Sequence, residues 1–134
     1  QIVISGSDPG IEKAIEILKT KGAKLALKLQ VGGAFHSPFM EPARAELEEA
    51  IRNTKFCNPI CPVFQNVDAL PSLDPNRIKA NLVAQLTSPV RWTQCVENMI
   101  SHGAKHFIEA GPGSVLQGLI KKINKDVITE GTAL

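Results

Sequence analysis

The chain has 134 residues, 43% hydrophobic and 21% charged, with a formal net charge of +2 at pH 7. This is the composition and length of one ordinary globular domain. It has too little positive charge for a nucleic-acid surface, and only five Phe and one Trp for base stacking. No apolar run reaches the ~18 residues of a membrane span, no signal-peptide pattern opens the chain, and an odd number of cysteines, three, fits a reducing compartment better than a disulfide framework.

Residues 1–5 (Gln-Ile-Val-Ile-Ser) are β-branched and bounded by Gly6, which predicts a short buried strand. A chain opening on Gln1 inside such a strand is expected to be a piece of a longer one. Ser7 or Asp8 is placed to cap a helix with Pro9 in its first turn. Ile11, Ala14, Ile15 and Leu18 form its apolar stripe and Gly22 its end. Over residues 24–30, Leu25, Leu27 and Leu29 alternate with Lys24, Lys28 and Gln30, the pattern of a strand with one wet face.

Next comes a glycine-loosened turn, Gly32-Gly33, then His36, then Ser37-Pro38 as a helix start. A histidine between a predicted strand and a predicted helix can project into a cleft, and imidazole is suited to taking and returning protons near neutrality. The plain alternative is a loop histidine with no task. The following helix carries Met40, Ala43, Leu47, Ala50 and Ile51 on one face, with Glu41, Glu46, Glu48 and Glu49 outward, until residues 58–62 break it. Residues 63–67 are expected to be a core strand running into a loop rich in Asp and Pro. Asp74-Pro75 opens a helix with Ile78, Leu82, Val83 and Leu86. Ser88-Pro89 restarts the chain as another, with Trp92, Val96, Met99 and Ile100 inward and Gly103 at its end. A strand over 106–109, a tight Gly111-Pro-Gly113 turn and a helix over 114–123 follow, and residues from Asn124 on are expected to form a loosely held tail. Strands alternating with helices argue for an α/β layer with parallel pairing.

Four segments carry a resemblance. Gly33-Ala-Phe-His-Ser-Pro-Phe-Met-Glu-Pro42, Pro62-Val-Phe-Gln-Asn-Val-Asp-Ala69, Gln85-Leu-Thr-Ser-Pro-Val-Arg-Trp92 and Glu109-Ala-Gly-Pro-Gly-Ser-Val-Leu116 resemble, in order and at about its spacing, the later part of the malonyl-CoA:acyl carrier protein transacylases. These are the acyltransferases that feed fatty-acid and polyketide synthesis. The resemblance implies an α/β fold: residues 1–31 as half of an inserted ferredoxin-like subdomain, and residues 32–134 as the C-terminal part of a larger α/β-hydrolase-like acyltransferase domain. It implies ping-pong transfer of malonyl from malonyl-CoA through an acyl-serine to the phosphopantetheine thiol of acyl carrier protein, in the cytoplasm (or a plastid or mitochondrion), without a bound cofactor or metal. His36 would be the catalytic base, oriented by the main-chain carbonyl of Gln85. Phe35 would set specificity, since a phenyl ring beside the acyl α-carbon leaves no room for the methyl of methylmalonyl.

The nucleophile that this chemistry needs sits, in that family, in a Gly-x-Ser-x-Gly elbow, and no such motif occurs among these 134 residues. The family's malonyl-binding arginine likewise precedes the matched region. The chain alone is therefore expected to be inactive, with the serine-bearing N-terminal part of the same enzyme as its partner. The rival expectation is a non-catalytic module that docks a carrier protein or another chain. Apart from the resemblance, Gln85 is a polar residue late in a helix and Phe35 a core side chain. Several other groups have both a functional and an ordinary reading: His102 with His106 or Cys57 with Cys61 as metal ligands, Gly111-Pro-Gly113 as an anion cradle or a glycine turn, and Lys121, Lys122 and Lys125 as a carrier-protein patch or a solvated helix end.

Overall fold

A computed structural model describes residues 1–132. Its helices are α1 (Asp8–Thr20), α2 (Glu41–Asn53), α3 (Pro75–Gln85), α4 (Trp92–Ser101) and α5 (Val115–Ile123), with a 3₁₀ turn at Pro38–Met40. Its strands are β1 (Val63–Phe64), β2 (Pro71–Ser72), β3 (His106–Ala110) and β4 (Ile128–Thr132). The chain divides into two units. One comprises Gln1–Phe56 with Lys79–Val90, the other Cys57–Ile78 with Arg91 onward.

In the first unit α1 starts as its sequence dictates. Ser7 is the N-cap and its Oγ accepts from the Gly10 N–H at 3.3 Å, with Pro9 in the first turn. It ends in a glycine-closed turn. Gly22, at φ +86°, lets the Ala23 N–H reach back to the Leu18 carbonyl at 3.0 Å and its own N–H to Lys19 at 3.1 Å. The two strands expected on either side of α1 do not form: residues 1–5 and 24–30 make no strand ladder among the described residues. The β-branched run of residues 1–5 and the alternation of residues 24–30 make strands only where a neighbouring strand is there to bond to. Without one, Ile2 and Leu25 are 92% and 75% exposed. Lys28 instead anchors its segment to α1 through Asp8, 2.6 Å away, and Glu12.

The second unit is built around Val96, Ile120 and Val127, with Trp92, Ile100, Phe107 and Ile123 packed against them. These come from α4, α5, β3 and the lead-in to β4, a strand–helix–strand arrangement. β3 and β4 pair in parallel, His106 opposite Ile128 through Ala110 opposite Thr132. The tail expected from Asn124 onward is thus corrected: Val127 is buried and residues 128–132 form a strand. The β-branched run Val127-Ile128-Thr129 suits this strand. Ala133 and Leu134 lie outside the described residues. The strand expected over 63–67 is also shorter and differently paired. Only Val63–Phe64 bonds, antiparallel, to Pro71–Ser72. From Gln65 the backbone turns, with the Ala69 N–H on the Gln65 carbonyl and Ala69, buried, at φ +61°.

The Gly-Pro-Gly turn between β3 and α5 is held by a carboxylate. Glu109 accepts from the main-chain N–H of Leu116 at 3.0 Å and from the main-chain and side-chain N–H groups of Gln117 at 3.3 and 3.1 Å. The Leu116 N–H, and with it the Gln117 groups, hold its carboxyl below the usual carboxylate range, against the desolvation that is the next largest influence. A group whose folded value is depressed stabilises the fold above its unfolded value, ~4.3 for glutamate, and that contribution is lost as pH falls through the lower folded value. Glu109→Gln is expected to lower the midpoint of thermal unfolding at pH 7 and to narrow the difference between pH 7 and pH 3. Thermal melts at the two pH values in parallel with the unaltered protein check this, and an unchanged pH dependence would contradict it.

Candidate active site

His36 stands at a turn in the first unit, at φ +60°. This left-handed conformation costs a non-glycine residue about 1–2 kcal/mol, so it persists only where neighbours enforce it. Ser37 is that neighbour. It is 6% exposed, and its Oγ donates to the Ala34 carbonyl at 2.6 Å while accepting from the Phe39 N–H at 3.3 Å as the cap of the 3₁₀ turn. The strand expected before this turn is absent. The helix expected after it begins as the 3₁₀ turn and becomes α2 at Glu41.

The ring of His36 meets Gln85, 49 residues away in sequence: Nδ1 lies 2.9 Å from the Gln85 carbonyl oxygen. A carbonyl can only accept, so this bond requires the proton on Nδ1, and in the neutral ring the lone pair is then the one on Nε2. Gln85 is the last residue of α3, so its carbonyl is among those a helix leaves without an intrahelical partner, at the negative end of the helix dipole. An acceptor of that kind steadies a ring that becomes positively charged on taking a proton. Phe35 is half-exposed and lies over Gly33, where an added Cβ would stand 3.8 Å from its ring. With His36 it lines a groove of about 450 Å³ whose other walls include Ile4, Ile15, Leu27 and Val31.

The remaining candidates resolve into ordinary structure. His102 Nδ1 lies 2.7 Å from the Asn98 carbonyl, and His106 Nε2 lies 3.2 Å from Glu130. Their i, i+4 spacing is interrupted by Gly103 at φ +96°, and no cluster of three or more potential metal ligands occurs among the described residues. Cys57 and Cys61 are exposed, and burial pushes the Cys95 thiol up, away from the reactive thiolate. The first N–H groups of α5 that could have cradled an anion are occupied by Glu109. Lys121 donates to the carbonyls of Val127 and Lys125, closing the turn into β4. The supporting role of Ser37 escaped the sequence reading, which saw only its capping of Pro38. The hydrogen bond back to Ala34 has no sequence signature.

A histidine whose Nδ1 rests on a main-chain carbonyl of a helix's last turn occurs at both His36 and His102, so the contact does not by itself define a class of protein. The comparison with known proteins does: residues 1–132 match the acyl transferase domain, and the chain belongs to that family. Malonyl CoA-acyl carrier protein transacylase of Bacillus subtilis is 43% identical over 129 residues, 96% of this chain and 41% of the relative. The acyl-carrier-protein S-malonyltransferase of Burkholderia pseudomallei superposes with a TM-score of 0.89 at 43% identity, over 94% of this chain and 41% of that one. A malonyl-transacylase solved in complex with a type II polyketide acyl-carrier protein superposes with a TM-score of 0.86 at 36% identity, over 96% of this chain and 41% of that one. The chain thus spans about two fifths of the length of the relatives it matches. No helix among the described residues is long and apolar enough to cross a membrane.

Proposed function

We propose that this chain is the C-terminal part of a malonyl-CoA:acyl carrier protein transacylase of fatty-acid synthesis. It supplies the base, the orienting carbonyl and one wall of the acyl pocket. Residues 1–31 are then half of a ferredoxin-like subdomain, and residues 32–134 the later part of an α/β-hydrolase-like domain whose serine and malonyl-binding groups are contributed from elsewhere in the enzyme. The observation that carries the reading is the 2.9 Å approach of His36 Nδ1 to the Gln85 carbonyl, in a chain of this family.

In this reading His36 Nε2 removes the serine hydroxyl proton as the oxygen attacks the thioester carbonyl of malonyl-CoA. The tetrahedral intermediate collapses to malonyl-serine, and Nε2–H returns the proton to the departing CoA thiolate. Nε2 next deprotonates the phosphopantetheine thiol of acyl carrier protein, whose sulfur attacks the acyl-serine, and the proton ends on the serine. Throughout, the Gln85 carbonyl holds the ring in one tautomer and offsets its transient positive charge without a second buried ion. No bound cofactor enters any step, malonyl-CoA being a substrate, and the proposed compartment is the cytoplasm, with a plastid or mitochondrion as the alternative.

The rival reading is a non-catalytic module that docks a carrier protein or partner chain. A transfer assay with malonyl-CoA and phosphopantetheinylated carrier protein separates the two. The full-length polypeptide carrying this sequence is expected to turn over, and the 134-residue chain alone is expected not to. Turnover by the chain alone would overturn the division of labour, and a full-length polypeptide with no activity would favour the docking module.

A further inference from the structure

The carbonyl on which His36 rests is not well fixed by the main chain. Helices α1 and α4 close with glycine turns whose return bonds are 2.9–3.1 Å long, at Gly22 and Gly103. Helix α3 has no glycine there. Past Gln85 the return bonds are those of Leu86 to Val83 at 3.4 Å, Thr87 to Ala84 at 3.3 Å and Ser88 to Gln85 at 3.4 Å, all at or beyond the long limit of an N–H···O bond. Pro89 has no N–H to add. The short bond at this helix end comes from a side chain: Gln85 Nε2 donates to the Ser88 carbonyl at 2.9 Å, and to that of Pro89 at 3.3 Å. With two carbonyls facing the same amide atom, the nitrogen is the only one of the pair that fits there. Its Oε1 is buried with no hydrogen-bond partner among the described residues, so what the side chain contributes is its two N–H groups.

We propose that the Gln85 side-chain amide is a positioning element for the base. By tying its own exit loop back through Ser88 and Pro89, it fixes the Gln85 carbonyl, and through it the tautomer and aim of the His36 ring. This rests on the reading of His36 as the base and extends it. A main-chain acceptor alone would make the side chain at position 85 irrelevant, whereas the clamp makes it matter. Gln85→Met keeps the approximate size and the neutrality of the side chain and deletes the N–H donors together with Oε1, which has no partner among the described residues.

The test uses the full-length polypeptide carrying this sequence. Q85M is expected to lose roughly 10- to 100-fold in kcat, the scale of a misplacement of about 1 Å at a reacting group, with KM for malonyl-CoA little changed. Long-range ¹⁵N–¹H NMR of the His36 ring is expected to change from the Nδ1–H form to a mixture of tautomers. Wild-type kcat together with an intact Nδ1–H form in Q85M would overturn the proposal. If Q85M does not fold, the unaltered protein decides: its Gln85 side-chain NH₂ protons should exchange more slowly than those of an exposed glutamine, and exchange at the exposed rate would overturn the clamp. His36→Ala separates this failure from failure of the underlying reading. Undiminished turnover in that variant would remove the base itself, while the NMR and exchange results would still report on the clamp.

Discussion

Replacing His36 with alanine in the full-length polypeptide is expected to reduce malonyl transfer by about 10²- to 10⁴-fold, the usual contribution of a positioned general base. The loss should fall on kcat far more than on KM, because in the proposed role the ring acts on protons in flight rather than on bound substrate. It should also fall on both half-reactions. In the proposed mechanism the same Nε2 serves the serine in the first and the carrier-protein thiol in the second, so CoA release and acyl-carrier-protein loading should decline together. Folding should not suffer, since alanine at position 36 removes no buried group. The side chain is exposed, and relief of its bond to Gln85 leaves Ser37 still capping the Pro38–Met40 turn. Separate assays of CoA release and of carrier-protein loading, with a thermal melt alongside, check all three parts.

Phe35→Ser is expected to leave malonyl transfer largely intact while allowing methylmalonyl-CoA to compete. The ring at position 35 stands next to the base and against the open backbone of Gly33. In the proposed function, an acyl α-carbon brought to His36 would meet phenyl carbons where a branching methyl has to go. Replacing the ring by a hydroxymethyl group removes that obstruction. One methyl in an apolar pocket is worth about 1–3 kcal/mol, or roughly 10- to 200-fold. The ratio of kcat/KM for malonyl-CoA over methylmalonyl-CoA should fall by an amount in that range. Paired kinetics with the two thioesters measure it, and an unchanged ratio would relocate the specificity wall to another side chain.

Much of the helical structure was legible in the residues. Ser7, Pro9 and Gly22 bracket α1 because capping and left-handed closure depend only on neighbours a few positions away. The same holds for Asp74, whose carboxylate accepts from the Asn76 N–H at the start of α3, and for Gly103 after α4. Strands were less legible, because a strand exists only with a partner and alternation does not name one. Residues 1–5 and 24–30 have the pattern without the ladder, whereas Ile128–Thr132, read as tail, has the ladder. Ser88-Pro89 also misplaced the start of α4: the chain stays non-helical until Trp92, and the Gln85 amide occupies the carbonyls of both residues.

At the site, the turn that presents His36 could be read from Gly32-Gly33 and Ser37-Pro38. Its left-handed backbone and the return bond of Ser37 to Ala34 could not. The pairing of His36 with the Gln85 carbonyl bridges 49 positions and involves a main-chain atom, which every residue possesses. Only the family resemblance pointed to it. The hydrogen bonds from the Gln85 side chain to the Ser88 and Pro89 carbonyls have no sequence signature either.

Rapid mixing of the full-length polypeptide with malonyl-CoA, followed by acid quench and intact-mass spectrometry, addresses the proton step without the carrier protein. The unaltered enzyme should gain one malonyl group within the first turnovers, and the His36→Ala enzyme should gain it slower by the same factor of about 10²–10⁴. Malonylation of the two at equal rates would mean that the imidazole at position 36 does not activate the nucleophile.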